Sequence, residues 1–140
     1  MRVLFIVNDL DFFLSHRLPI AKKLINIGIS VFVVSNKIPL KKNSKITFLK
    51  IKIHRSRIGV LDNYNSIIEL KKIIKQVNPK LIHCITLKPI LFTNILLLRN
   101  KKIKIINAIS GLGFLFTNKR NSFIKFLIKR TFSLIIKFKE

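Results

Sequence analysis

Two short runs carry most of the chemistry in this chain: Leu81-Ile82-His83-Cys84-Ile85-Thr86-Leu87-Lys88-Pro89 and Asn107-Ala108-Ile109-Ser110-Gly111-Leu112-Gly113. Each passes from strand-like apolar residues into polar groups suited to phosphate, and strand ends are where open α/β sheets hold their ligands. Lys88 offers a cation to a diphosphate, or is a solvated lysine at a helix start. Ser110, Gly111 and Gly113 would let backbone N–H groups approach an anion closely, although Gly-Leu-Gly alone more often makes a tight turn. His83 lies in an apolar strand, where the ordinary outcome is a hydrogen-bonded core histidine.

Asp9-Leu10-Asp11 is spelled like a metal-binding pair, but it stands directly after the first apolar run, which favours a loop contact over a metal ligand. No metal site is read from the sequence, and no cofactor is called for. Cys84 is the only cysteine, so there is neither an internal disulfide nor a multi-cysteine zinc site, and a small buried strand residue is its expected role. His54, in His54-Arg55-Ser56-Arg57, reads as a loop residue.

The elements that must position these groups follow from hydrophobic periodicity. Val3 to Val7 is a continuous apolar run, as expected of a strand buried on both faces. A helix is expected from Ser15, with Pro19 near its first turn, an apolar stripe at Ile20, Leu24 and Ile27, and its end at Gly28. Strands follow at about Ser30 to Ser35 and Thr47 to Ile53, separated by a loop containing Pro39. Ile67, Leu70, Ile74 and Val77 mark one face of a helix that Asn78-Pro79 stops. Leu81 to Ile85 is a buried strand, Pro89 to Arg99 a helix and Ile103 to Ile109 another strand. This alternation predicts an α/β fold with a doubly wound parallel sheet, Rossmann-like, forming one domain over residues 1–140.

From Ser122 to Lys139 the pattern is that of a basic amphipathic helix. Phe123, Leu127, Leu134 and Phe138 share a face, with Lys125, Lys129, Arg130 and Lys137 on the remaining arc. Such a helix lies on an anionic membrane or covers the sheet with its lysines in water. No apolar stretch reaches the length that crosses a bilayer, and the N-terminus lacks a signal peptide's longer apolar core. A cytoplasmic location is expected, with peripheral attachment to the inner face of the membrane. The net charge of +23 favours phosphate-rich partners. Lys, Ile and Asn make up 59 of the 140 residues, however, and their A/T-rich codons allow composition drift to account for much of the lysine. The cations are spread along the chain without an RNA-recognition pattern or a helix-turn-helix, which disfavours nucleic acid.

The motifs together resemble the N-terminal domain of family 4 glycosyltransferases of the GT-B fold, especially bacterial enzymes that extend lipid-linked sugars. The resemblance runs nearly end to end. It rests on Asn8-Asp9, Phe13-Leu14-Ser15-His16-Arg17-Leu18-Pro19-Ile20-Ala21-Lys22, Ser56-Arg57, His83-x-x-Thr86-x-Lys88-Pro89 and Asn107 to Phe116. It implies that the chain is one half of a GT-B fold, the acceptor-side half, with the C-terminal donor-binding domain absent or supplied as a separate subunit. The implied function is transfer of a sugar from a nucleotide-sugar to a lipid-linked or polysaccharide acceptor, with retention of anomeric configuration. His83 would then contact the reacting sugar and Asp9 an acceptor hydroxyl. His16 and Arg17 would touch acceptor or donor phosphate, or merely begin a helix. Asn8, Thr86, Lys88, Ser110, Gly111 and Gly113 complete the substrate-binding set. The implied partners are the nucleotide-sugar donor, the lipid-linked acceptor and an anionic membrane surface, and the isolated chain is expected to be inactive. The rival reading is a noncatalytic basic module binding anionic membrane or nucleic acid.

Overall fold

A computed structural model describes residues 1–40, 45–51, 60–109 and 133. The Ser110-Gly111-Leu112-Gly113 turn, the His54-Arg55-Ser56-Arg57 loop and the helix expected over 122–139 lie outside the described residues.

Five strands, β1 (Arg2–Val7), β2 (Ser30–Ser35), β3 (Ile46–Lys50), β4 (Leu81–Ile85) and β5 (Lys104–Ala108), form one sheet in the order β3-β2-β1-β4-β5. Every pairing is parallel. Among the described residues four helices connect them: α1 (Leu10–His16), α2 (Leu18–Asn26), α3 (Val60–Val77) and α4 (Leu87–Leu96). The Rossmann-like α/β architecture read from the alternation is therefore present. Chain order runs outward from β1 in one direction and then in the other, so the topological switch point falls between β1 and β4.

The central strand explains the continuous apolar run. Val3, Phe5 and Val7 pack on the α1–α2 face with Phe13, Ala21, Val31, Val33 and Ile85. Leu4 and Ile6 pack on the other face with Leu70, Ile74, Ile82, Cys84 and Ile90, beneath α3 and α4. A strand covered on both sides has no polar face, so period two disappears and only the apolar run remains. Cys84 is fully buried, as its place in the run suggested.

The first helical region differs from its sequence reading. The helix starts at Leu10 rather than Ser15, because Asp9 caps it: the Asp9 Oδ1 accepts from the Asp11 backbone N–H at 3.1 Å. Ser15 sits inside the helix and bonds back to the Asp11 carbonyl at 2.8 Å. A break at Arg17 then starts α2, with Pro19 in its first turn. Of the expected stripe, Leu24 alone packs on the sheet. Ile20 and Ile27 are 40% and 72% exposed, whereas Ala21 is buried and Leu18, Leu24 and Ile25 pack against the sheet.

Candidate functional site

Because the strands are parallel, all their C-terminal ends lie along one edge, and β1 and β4 are adjacent there. Val7 pairs with Ile85, so the next residue of each strand, Asn8 and Thr86, flanks the switch-point crevice. Asn8 is 7% exposed and its Oδ1 is buried without a hydrogen-bond partner. The Thr86 Oγ1 is buried and unpartnered as well. Two polar atoms withdrawn from water with no bond made cost stability, roughly 1–3 kcal/mol for each group. Such a pair at a strand end is what a polar ligand would complete.

Thr86 carries a second signal. Its backbone is at φ 73°, ψ 162°, a region that essentially only glycine occupies freely. The conformation turns the chain from β4 directly into α4, while the Thr86 N–H donates to the Ala108 carbonyl at 3.2 Å. Lys88 follows in the first turn of α4, half-buried and on the same edge as Asn8. A helix N-terminus with a lysine beside it suits an anion. The side chain of Thr86 makes no cap bond to that helix.

His83 lies two residues before the end of β4, on the α1–α2 face. It pairs in register with Phe5, and the two rings are 5.2 Å apart between centroids. Burial, and next the positive charge of Arg17, lower its pKa below 6.5. The imidazole is thus neutral near pH 7 and able to accept a proton from a hydroxyl. Arg17 reaches this neighbourhood from the α1–α2 break, and its buried Nε has no hydrogen-bond partner. Its backbone is fixed at both helices: the Arg17 N–H donates to the Phe13 carbonyl at 2.8 Å, and its own carbonyl accepts from Ala21 at 3.1 Å.

The remaining sequence candidates divide. Asp9 stands beside Asn8 but spends one carboxylate oxygen on the α1 cap. His16 is exposed, stacked on Phe12 at 4.4 Å and hydrogen-bonded through Nδ1 to the Ser15 hydroxyl at 2.7 Å. Those contacts tie it to α1. Ile109 is the last residue described at the β5 end of this edge, and Ser110, Gly111 and Gly113 lie outside the described residues. Asn107, part of the glycine-rich motif, faces the other way: its Oδ1 accepts from the buried Asn94 Nδ2 at 3.0 Å, tying β5 to α4.

One residue escaped the sequence reading. Asn36 follows β2 at the same edge, and its Oδ1 accepts from the Leu10 backbone N–H at 3.4 Å, bracing the start of α1 beside Asn8. The signal was available, since Asn36 follows its strand as Asn8 follows β1. Among the described residues no group of three or more His, Cys, Asp or Glu side chains is gathered as a metal would need.

The C-terminal edge of the sheet therefore carries Asn8, Thr86 and Lys88 after the ends of β1 and β4, and Arg17 lies close enough to His83 for its charge to act on the ring. Donors of this kind hold hydroxyls and phosphates. A family model described as glycosyl transferase 4-like matches residues 2–138. No curated protein matches the chain.

Proposed function

Since the chain belongs to the glycosyl transferase 4-like family over residues 2–138, we propose that it is the acceptor-side domain of an enzyme moving a sugar from a nucleotide-sugar to a lipid-linked or polysaccharide acceptor. The observation that carries this reading is the pair of buried, unpartnered polar atoms after the strand ends at the switch point, Asn8 Oδ1 and Thr86 Oγ1. In this assignment Arg17 and Lys88 hold acceptor phosphate, and Ser110, Gly111 and Gly113 are assigned to the same substrate-binding set. Asn8 and Thr86 hydrogen-bond sugar hydroxyls. Neutral His83 takes the proton from the acceptor hydroxyl as it attacks on the face from which the nucleoside diphosphate departs, so that configuration is retained, and Asp9 orients that hydroxyl with its remaining oxygen. The donor is held mainly by a second domain, in the same chain or a separate subunit. Peripheral contact with an anionic membrane through residues 122–139 would bring the acceptor to the crevice.

A binding comparison tests the proposal. The chain should prefer a short polyprenyl diphosphate over plain anionic vesicles and over DNA, and both Arg17→Gln and Thr86→Val should weaken that preference. Lost hydrogen bonds to a charged group account for roughly 1.5–3 kcal/mol, so the Arg17 variant should bind about ten-fold or more weakly. Equal affinity for all three ligands, unaltered by either change, would instead identify a noncatalytic basic module.

A further inference from the structure

At the opposite edge of the sheet from Asn8 and Thr86, the last two turns of α3, the segment after α4 and the approach to β5 line an open depression of about 980 Å³. Lys71, Lys75, Arg99, Lys101 and Lys102 line it. These are five of its eleven described lining residues, against 28 cations in 140 residues overall, and none of the eleven is a carboxylate. The depression thus gathers five cations with no carboxylate beside them.

Helix capping does not account for it. The C-terminal ends of α3 and α4 meet here, each equivalent to roughly half a negative charge, which five full positive charges outweigh. The α3 end also has a cation of its own from outside the depression, because Arg2 Nη1 donates to the Val77 carbonyl at 3.0 Å. The segment that presents Arg99, Lys101 and Lys102 is fixed by its own bonds. The Asn100 N–H donates to the Leu97 carbonyl at 3.0 Å, and the Lys102 N–H to the Asn100 Oδ1 at 2.9 Å.

A second lobe of about 510 Å³ shares Leu97, Asn100, Lys101 and Ile103 with the first and continues past Leu81, Leu98 and Ile106. Ile106 is 49% exposed there. One groove therefore joins concentrated positive charge to aliphatic wall. That combination matches an amphiphile with an anionic phosphate head, whose charge is held by lysines and whose chain covers Leu and Ile. We propose that this end of the sheet binds anionic phospholipid, the headgroup in the lysine-lined depression and the first acyl carbons along Leu81, Leu98 and Ile106. The site is distinct from the switch-point crevice and depends on no assumption about sugar transfer.

The test is an NMR titration of the isotope-labelled chain with short-chain phosphatidic acid kept monomeric, beside inorganic phosphate and phosphatidylcholine of the same chain length. Phosphatidic acid should shift the amides of Asn78 and of residues 100–103 and leave those of Asn8 and Thr86 in place. Replacing the exposed Lys71, Lys75 and Lys101 by Gln should weaken binding on the order of ten-fold. Replacing the exposed Lys22, Lys23 and Lys50 by Gln removes the same charge elsewhere and should change binding by no more than roughly two-fold. Equal weakening in both triple variants would reduce the site to general charge attraction and overturn the proposal. Inorganic phosphate binding as tightly as phosphatidic acid would overturn the lipid assignment, and phosphatidylcholine doing so would overturn the anionic one. Shifts confined to Asn8 and Thr86, or none at all, would overturn the location.

Discussion

At the scale of single residues, the crevice couples a titration to a backbone strain. His83 has its pKa lowered from 6.5 by burial first and by Arg17 second. Above pH 6.5 the imidazole is neutral in folded and unfolded chains alike. As the pH falls further, the unfolded chain takes up the proton first, so folding loses stability between 6.5 and the lower folded value. His83→Gln should abolish that component, giving urea midpoints that change less with pH below 6.5 than those of the parent chain. Arg17→Gln should raise the His83 pKa only part of the way, because burial is the larger cause; NMR titration of the ring reads this directly. A full return to 6.5 on removing Arg17 would make its charge the dominant cause. Thr86 gives the second residue-scale prediction. Its φ of 73° and ψ of 162° cost roughly 1–3 kcal/mol, and glycine would relieve that strain while losing roughly 0.5–1 kcal/mol to unfolded-chain entropy. Thr86→Gly should therefore stabilise the chain by about 1 kcal/mol in urea unfolding while weakening acceptor binding through loss of the hydroxyl. A destabilised glycine variant would mean that Thr86 is held by its side chain rather than strained. Nothing in the letter at position 86 announces a glycine-like backbone, so this feature was not legible from the sequence, whereas the polar character of Asn8, Thr86 and Lys88 after apolar runs was.

Elements decide which of those residues can meet. Strand β4 was readable from Leu81 to Ile85 and the others nearly so, because burial on both faces leaves short, continuous apolar runs with clear ends. The region after β1 was harder. Asp9 has the side chain of a helix cap and the position of a site residue, and reading it as the latter moved the expected helix start to Ser15. Packing places Ala21 rather than Ile20 at the buried position of α2, in one cluster with Val31 and Val33. What holds α1 is Phe13, fully buried, edge-on to Phe5 at 5.5 Å and to Phe48 at 6.3 Å. Phe13→Ala should cost about 3–5 kcal/mol, seen as a lower urea midpoint. Unfolding at the parent midpoint would show that α1 contributes little to the fold. The glycine-rich motif splits in the same way: Asn107, its first residue, belongs to the tie between β5 and α4 rather than to the crevice edge.

For the whole molecule, topology and charge act on different ends of one sheet. The C-terminal edge gathers Asn8, Thr86, Lys88 and the chain leading to Ser110, while the lysine-lined depression lies at the other edge. The charge of +23 was legible from composition, but its concentration at the ends of α3 and α4 was not, because Lys71 and Lys101 are thirty positions apart and meet only through the crossover from β4 to β5. The switch-point crevice offers side chains from one wall. Transfer between two bound sugars needs both held in a reactive geometry, and positioning of that kind lowers barriers by roughly 7–11 kcal/mol. If the domain is the acceptor half, these 140 residues alone should transfer no sugar at a measurable rate, yet should do so when a matching donor-binding domain is added. The measurement is release of nucleotide diphosphate together with labelled product, with and without the second domain. Arg17→Gln and His83→Gln should depress the reconstituted rate, Arg17→Gln chiefly by raising KM for the acceptor and His83→Gln chiefly by lowering kcat, by about 10²–10⁴-fold for loss of a general base. Strong transfer by the chain alone would refute the half-enzyme reading. Product formed at the parental kcat by the His83 variant would remove His83 from the chemistry and leave Asp9 as the group nearest the acceptor hydroxyl.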